Sequence, residues 1–137
     1  MEEQEKKAQE AYMQFQMLEQ QIKQLQSQFE MVSQQLIELA ATSNSLDDFQ
    51  KIRDVREAFI PISSGIFARA SIKDTSELLV NVGANVVVKK DLASTKKLIL
   101  SQMEEIKKIQ KQMGDELERT VNHAAQLEIH LQNLIPK

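Results

Sequence analysis

Apolar residues recur through the first forty positions at alternating intervals of three and four. Ala8, Ala11, Phe15, Leu18, Ile22, Leu25, Phe29, Val32, Leu36 and Leu39 keep this rhythm without a break. That is a coiled-coil seam sustained over more than four heptads, and it predicts a long helix. Between these positions lie mostly Gln, Glu, Lys and Ser, the residues of a solvated outer face. Past Leu39 the pattern loosens, with Ser43 on the seam before Leu46 and Phe49, and the helix is expected to run on toward Arg56. A second seam passes through Leu92, Thr95, Ile99, Gln102, Ile106, Ile109 and Met113, with Met103 beside its polar member. Two intervals of four then meet at Met113 on the way to Leu117, before Thr120, Ala124, Leu127, Leu131 and Leu134 resume the alternation. Such an inserted four is a stutter, which locally unwinds a supercoil. Gly114 lies beside it and softens the helix further. Asp91 is placed to cap this helix, and Pro136 to end it.

Laid antiparallel, the two seams stay aligned, with Leu39 opposite Ile99, Ile22 opposite Leu117 and Ala8 opposite Leu131. Both chain ends then meet at one tip of a helical hairpin. The segment between the helices changes period. Phe59 to Ile62 is apolar around Pro61, while Ile66, Ala68, Ala70 and Ile72 alternate with other residues, as do Leu78, Val80 and Val82 before the run Val86 to Val88. Ser63-Ser64-Gly65, Lys73-Asp74-Thr75-Ser76 and Gly83-Ala84-Asn85 supply turn chemistry between them, so the text predicts four short strands in two hairpins. Isolated hairpins of this length are marginal in water and leave open edges. The helical seams are already used on each other. Association, in which strands from several subunits complete one sheet or barrel, resolves both problems. A lone helical hairpin with a β cap is the competing arrangement and leaves the edges bare. The expected fold is therefore mainly α: a long antiparallel two-helix coiled coil with two central β-hairpins that assemble into an oligomeric β-barrel. Its parts are residues 1–56, the first helix; 57–90, the hairpins; and 91–137, the second helix.

Composition sharpens this picture. Of 137 residues only 4% are aromatic, Gly and Pro number 3 and 2, and there is no Trp, which leaves little bulk for a thick globular core. A formal charge of −3 argues against nucleic acid as the principal ligand. The absence of cysteine excludes disulfides and thiolate metal sites. No apolar run approaches the roughly 20 residues that span a bilayer, and the N-terminal text lacks a signal-peptide core, so a soluble cytoplasmic protein with no membrane partner is expected.

The stretch from Phe59 through Leu92, flanked by two coiled-coil helices, resembles the alpha-class subunits of prefoldin. The matching pieces are Ile60-Pro61-Ile62, Gly65 with Phe67, Ile72-Lys73-Asp74-Thr75, and Val82-Gly83-Ala84 leading through a valine run to Lys90-Asp91-Leu92. The architecture corresponds along the whole chain, whereas the sequence likeness is concentrated in the middle third. Two hairpins point to the alpha class, since beta-class subunits carry one. Ser63-Ser64 departs from a glycine usual near this turn, and Asn85-Val86 replaces a common pairing of glycine with an apolar residue. The resemblance implies a hexamer of two alpha and four beta subunits joined through a double β-barrel. Its coiled-coil tips hold unfolded polypeptides and pass them to a group II chaperonin without using nucleotide.

The residues carry no enzyme chemistry and call for no cofactor. Gly83-Ala84-Asn85 followed by Lys89-Lys90 lacks the spacing of a phosphate loop. His123 and His130 are two helical turns apart, about 10 Å, too far to share a metal ion. Glu104-Glu105, Asp47-Asp48 and the lysines Lys107, Lys108 and Lys111 read as solvated surface. What remains is adhesion. Tyr12, Met13, Met17, Ile129 and Ile135 fall off the seam near the two ends, and with Leu127, Leu131 and Leu134 they form the expected substrate-binding tip. Methionine suits such a surface because it is flexible and polarizable. The expected assembly residues are Phe59, Ile60, Ile62, Ile66, Phe67, Ile72, Leu78, Leu79, Val80, Val82, Val86, Val87 and Val88. A structural coiled-coil adaptor that joins other proteins through its β module is the alternative function.

Overall fold

In a computed structural model, residues 2–52, 54 and 56–134 are described. Helix α1 spans Glu2–Gln50, strands β1 (Arg56–Ser63), β2 (Ile66–Ile72), β3 (Glu77–Gly83) and β4 (Val86–Asp91) follow, and helix α2 spans Leu92–Leu134. The chain divides into two units, one of residues 1–36 with 105–137 and one of residues 37–104.

Within the first unit the helices run antiparallel. Phe29 lies against Gly114, and four residues later in α1 Ser33 accepts a 3.0 Å hydrogen bond from the Gln110 side-chain amide, four residues earlier in α2. Apolar seam residues of α1 are buried or half-buried in the expected order from Ala8 to Leu36, and Ala11 and Leu25 are the most enclosed. In α2 the seam departs from expectation. From Ile99 it continues through Met103, Ile106, Gln110 and Met113 to Leu117, while Gln102 and Ile109 face solvent. The alternation of four and three therefore passes Met113 without a stutter. The two intervals of four meet instead at Ile99, between buried Thr95 and half-buried Met103, and from there α2 turns Gln110 inward in place of Gln102. Ser33 satisfies that amide, which removes most of the penalty for placing it there. The pairing is also offset, since Gln110 and not a residue near Glu105 meets Ser33, about one helical turn from the expected alignment.

Gly114 keeps an ordinary helical position with no stutter beside it. A methyl group built on it would sit 3.6 Å from the Phe29 ring, an ordinary contact. Gly114→Ala is therefore expected to stabilise this unit by about 1 kcal/mol, the usual helix-interior difference. A raised midpoint in thermal circular dichroism checks it, and a lowered one would show that the close approach of Phe29 needs glycine.

The second unit carries both hairpins. β1 pairs with β2 and β3 with β4, each as a separate two-stranded antiparallel sheet. Gly65 turns the first hairpin with φ 78°, a conformation that glycine adopts without steric cost. The second turn places Ala84 and Asn85 at φ 51° and 61°, the two positive values of a primed hairpin turn. Asn85 tolerates this region, whereas Ala84 holds it at the cost of strain. Asn81 supports the bulge before the turn by accepting a 2.9 Å bond from the Gly83 N–H. Asp74 accepts from the Ser76 N–H at 2.8 Å, folding the link between hairpins into an Asx turn.

α1 closes on tight backbone bonds from Lys51 to Asp48 and from Ile52 to Phe49, and Asp47 in its last turn is ion-paired with Lys96. β4 passes into α2 with no intervening loop. Asp91 ends the strand and caps the helix, accepting 2.7 Å from the Ser94 N–H, while Thr95 Oγ1 donates to the Asp91 carbonyl. The Ser94 hydroxyl, and then its backbone N–H, hold the Asp91 carboxyl below its ordinary value of 3.8. A depressed carboxylate contributes stability that is complete above its ordinary value and lost as pH falls through its folded one. The melting midpoint of Asp91→Ala is thus expected below that of the unsubstituted chain at neutral pH, with the gap closing in acid. A gap independent of pH would refute the capping role of the charge.

Pro136, expected to end α2, lies outside the described residues.

Candidate functional site

Two apolar surfaces stand out. The first lies on the hairpins. In β1–β2 the register pairs Phe59 with Arg69 and Pro61 with Phe67 on one face, and Ala58 with Ala70 and Ile60 with Ala68 on the other. In β3–β4 it pairs Val80 with Val88 on one face, and Leu79 with Lys89 and Asn81 with Val87 on the other. Period-two alternation thus sends large apolar side chains to both faces of both sheets. Phe59, Ile60, Ile62, Ile66, Phe67, Leu79, Val82, Val86 and Val87 are all exposed, Leu79 at 72%. Ile72, Leu78, Val80 and Val88 are half-buried. The polar residues of the first hairpin are organised around this surface: the Arg69 guanidinium lies 5.6 Å from the Phe59 ring centroid and 3.8 Å from the Glu57 carboxylate.

The second surface lies in the first unit, at the end where the N-terminal part of α1 meets the C-terminal part of α2. Tyr12, Met13, Met17 and Ile129 are exposed. Leu127, Leu131 and Leu134 are half-buried in the seam, so the predicted tip residues fall into an outer set and an inner set. Ile135 lies outside the described residues. A shallow groove of about 380 Å³ brings Met17 together with Gln14, Leu18, Gln21 and His123. His123 thereby borders an apolar surface. Among the described residues no group of three or more His, Asp or Glu side chains could hold a metal ion.

Sequence reasoning missed three exposed apolar positions of this unit, Met31, Ile109 and Val121. Met31 follows Met17 by fourteen residues, two whole heptads, and a search of the outer positions for that period would have found it.

The family model described as Prefoldin subunit matches residues 18–137. The chain belongs to the prefoldin family. Among its relatives are proteins named prefoldin subunit alpha. That of Thermofilum pendens is 25% identical, over 83% of this chain and 88% of its own length. That of Archaeoglobus fulgidus is 24% identical over 93% of each chain. A third, from Methanobrevibacter smithii, is 34% identical over 52% of this chain and 48% of its own length. These relatives place the chain with the prefoldin alpha subunits, in a family of chaperones. The fold agrees: a chain in a cryo-EM structure of filamentous PFD from Methanocaldococcus jannaschii superposes with a TM-score of 0.72 at 12% identity, over 88% of this chain and 98% of that one. No helix among the described residues of this prefoldin chain is long and apolar enough to cross a membrane.

Proposed function

We propose that this chain is an ATP-independent co-chaperone subunit of the cytoplasm. Its hairpins, residues 57–90, join prefoldin beta subunits in a hexamer of two alpha and four beta chains. Its helical arms, α1 and α2, hold unfolded or nascent polypeptides for delivery to a group II chaperonin. The observation that carries the reading is the exposed set Tyr12, Met13, Met17 and Ile129 at the end of the unit remote in sequence from the hairpins. A shallow groove at Met17 accompanies it. A surface of this kind binds many sequences weakly, and several copies on one body hold a chain by raising the effective concentration for each next contact. Release then requires only a competing partner.

Removing the residues before Phe15 and after Ala125 tests this. Assembly with a beta-class partner is expected to survive, while suppression of aggregation of an unrelated denatured protein, followed by light scattering, collapses. Retained suppression in the truncated complex would sink the arm-end assignment. An intact complex that never suppresses aggregation would instead identify a structural adaptor.

A further inference from the structure

The five methionines among the described residues are sorted by environment. Met13, Met17 and Met31 on α1 are 64%, 70% and 64% exposed, whereas Met103 and Met113 on α2 are half-buried in the seam. The three exposed ones also share a face. Met31 lies eighteen residues after Met13, five full turns of a 3.6-residue helix, and Met17 is one turn beyond Met13. The result is a line of thioethers roughly 27 Å long on the outer side of one helix. None is needed for the helix pairing, because the seam beneath them is filled by Phe15, Leu18, Phe29 and Val32.

We propose that Met13, Met17 and Met31 form a reversible oxidation site through which hydroperoxides switch off the adhesive face of the arm. This rests on the reading of that face as a holding surface, and it adds Met31 to it. In the reaction the thioether sulfur attacks the distal peroxide oxygen and the O–O bond breaks. The sulfur is oxidised to the sulfoxide, and the peroxide leaves as water or an alcohol after proton transfer. Each event turns a flexible apolar side chain into a polar one without touching the seam. The coil therefore persists while its affinity for apolar segments falls. Methionine sulfoxide reductases reverse the change. Met103 and Met113 are shielded by the same packing that makes their oxidation destructive.

The assembled full-length protein is treated with hydrogen peroxide and followed by peptide mass spectrometry and by light scattering with a denatured protein. Met13, Met17 and Met31 are expected to oxidise at rates near that of free methionine, and Met103 and Met113 several-fold more slowly. Suppression of aggregation should fall with the first group, with helicity unchanged, and return after reductase treatment. Whatever its untreated level of suppression, the triple variant Met13→Leu, Met17→Leu, Met31→Leu should lose none of that level on peroxide treatment. Equal oxidation rates at all five positions would overturn the site. Inactivation of the triple variant as complete as that of the unsubstituted protein would overturn the switch. Untreated protein that never suppresses aggregation refutes the holding function, and the switch with it, while the oxidation order remains decided by the spectra.

Discussion

Phe67→Asp and Val80→Asp are each expected to abolish assembly, leaving a chain whose helices persist but whose mass in light-scattering chromatography falls to a smaller species. The two positions sample different surfaces. Val80 pairs with Val88 on one face of the second hairpin, and Phe67 sits opposite Pro61 on the first. Neither hairpin has more than two strands, so each presents two open edges as well as apolar side chains on both faces. Isolated sheets of this kind are marginal, and covering them with strands of other subunits removes edge and face exposure together. A carboxylate placed in such a covered face loses its hydration without gaining a partner, a penalty of several kcal/mol that recurs in every copy. Lys73→Asp, in the exposed link between the hairpins, should leave the mass unchanged. A Val80→Asp protein that still forms the full complex would refute the assignment of these strands to assembly.

The hairpins were legible because turn chemistry is local. Gly65, Asp74 and Gly83 mark chain reversals without reference to anything distant, and β1 to β4 fall between them. The α1 seam was legible for a similar reason, as ten apolar residues in strict rhythm admit no second phase. The α2 seam admits two phases between Ile99 and Leu117, one through Gln102 and Ile109 and one through Met103 and Gln110. Each phase buries one glutamine and one large apolar residue, so hydropathy separates them only by preferring an isoleucine to a methionine. The second is adopted, and in it Ser33, seventy-seven residues away, accepts a hydrogen bond from the Gln110 amide. A single polar pair of this kind inside an apolar seam fixes register, and the register it fixes differs by about one turn from the one that aligning apolar residues suggests. The exposed apolar face of the first unit was half legible. Off-seam apolar residues near the chain ends drew attention to Tyr12, Met13 and Met17, but Met31 lies in a stretch where the seam itself dominates the pattern.

Leu25→Ala should lower the stability of the first unit by about 2–3 kcal/mol, toward the low end for a buried leucine because the seam is open to water on its flanks. Leu25 is only 7% exposed and is the one large side chain of α1 that is buried; the other enclosed positions of this unit are Ala11, Thr120 and Ala124, which have little bulk to lose. For a unit of this size each kcal/mol moves the midpoint by roughly 4–8 °C, so the helical melting transition should fall by about 10 °C or more. The strands belong to the other unit, so the mass of the complex should stay the same while proteolysis within residues 2–36 and 105–134 accelerates. Leu25→Met, which keeps the volume, should cost far less. An unmoved midpoint in Leu25→Ala would mean that the arm is held by something other than its own seam. A fall in midpoint together with loss of the complex would mean that the two units do not fold independently. The expected separation, arms weakened and assembly intact, is what the proposed holding surface on one unit and joining surface on the other require.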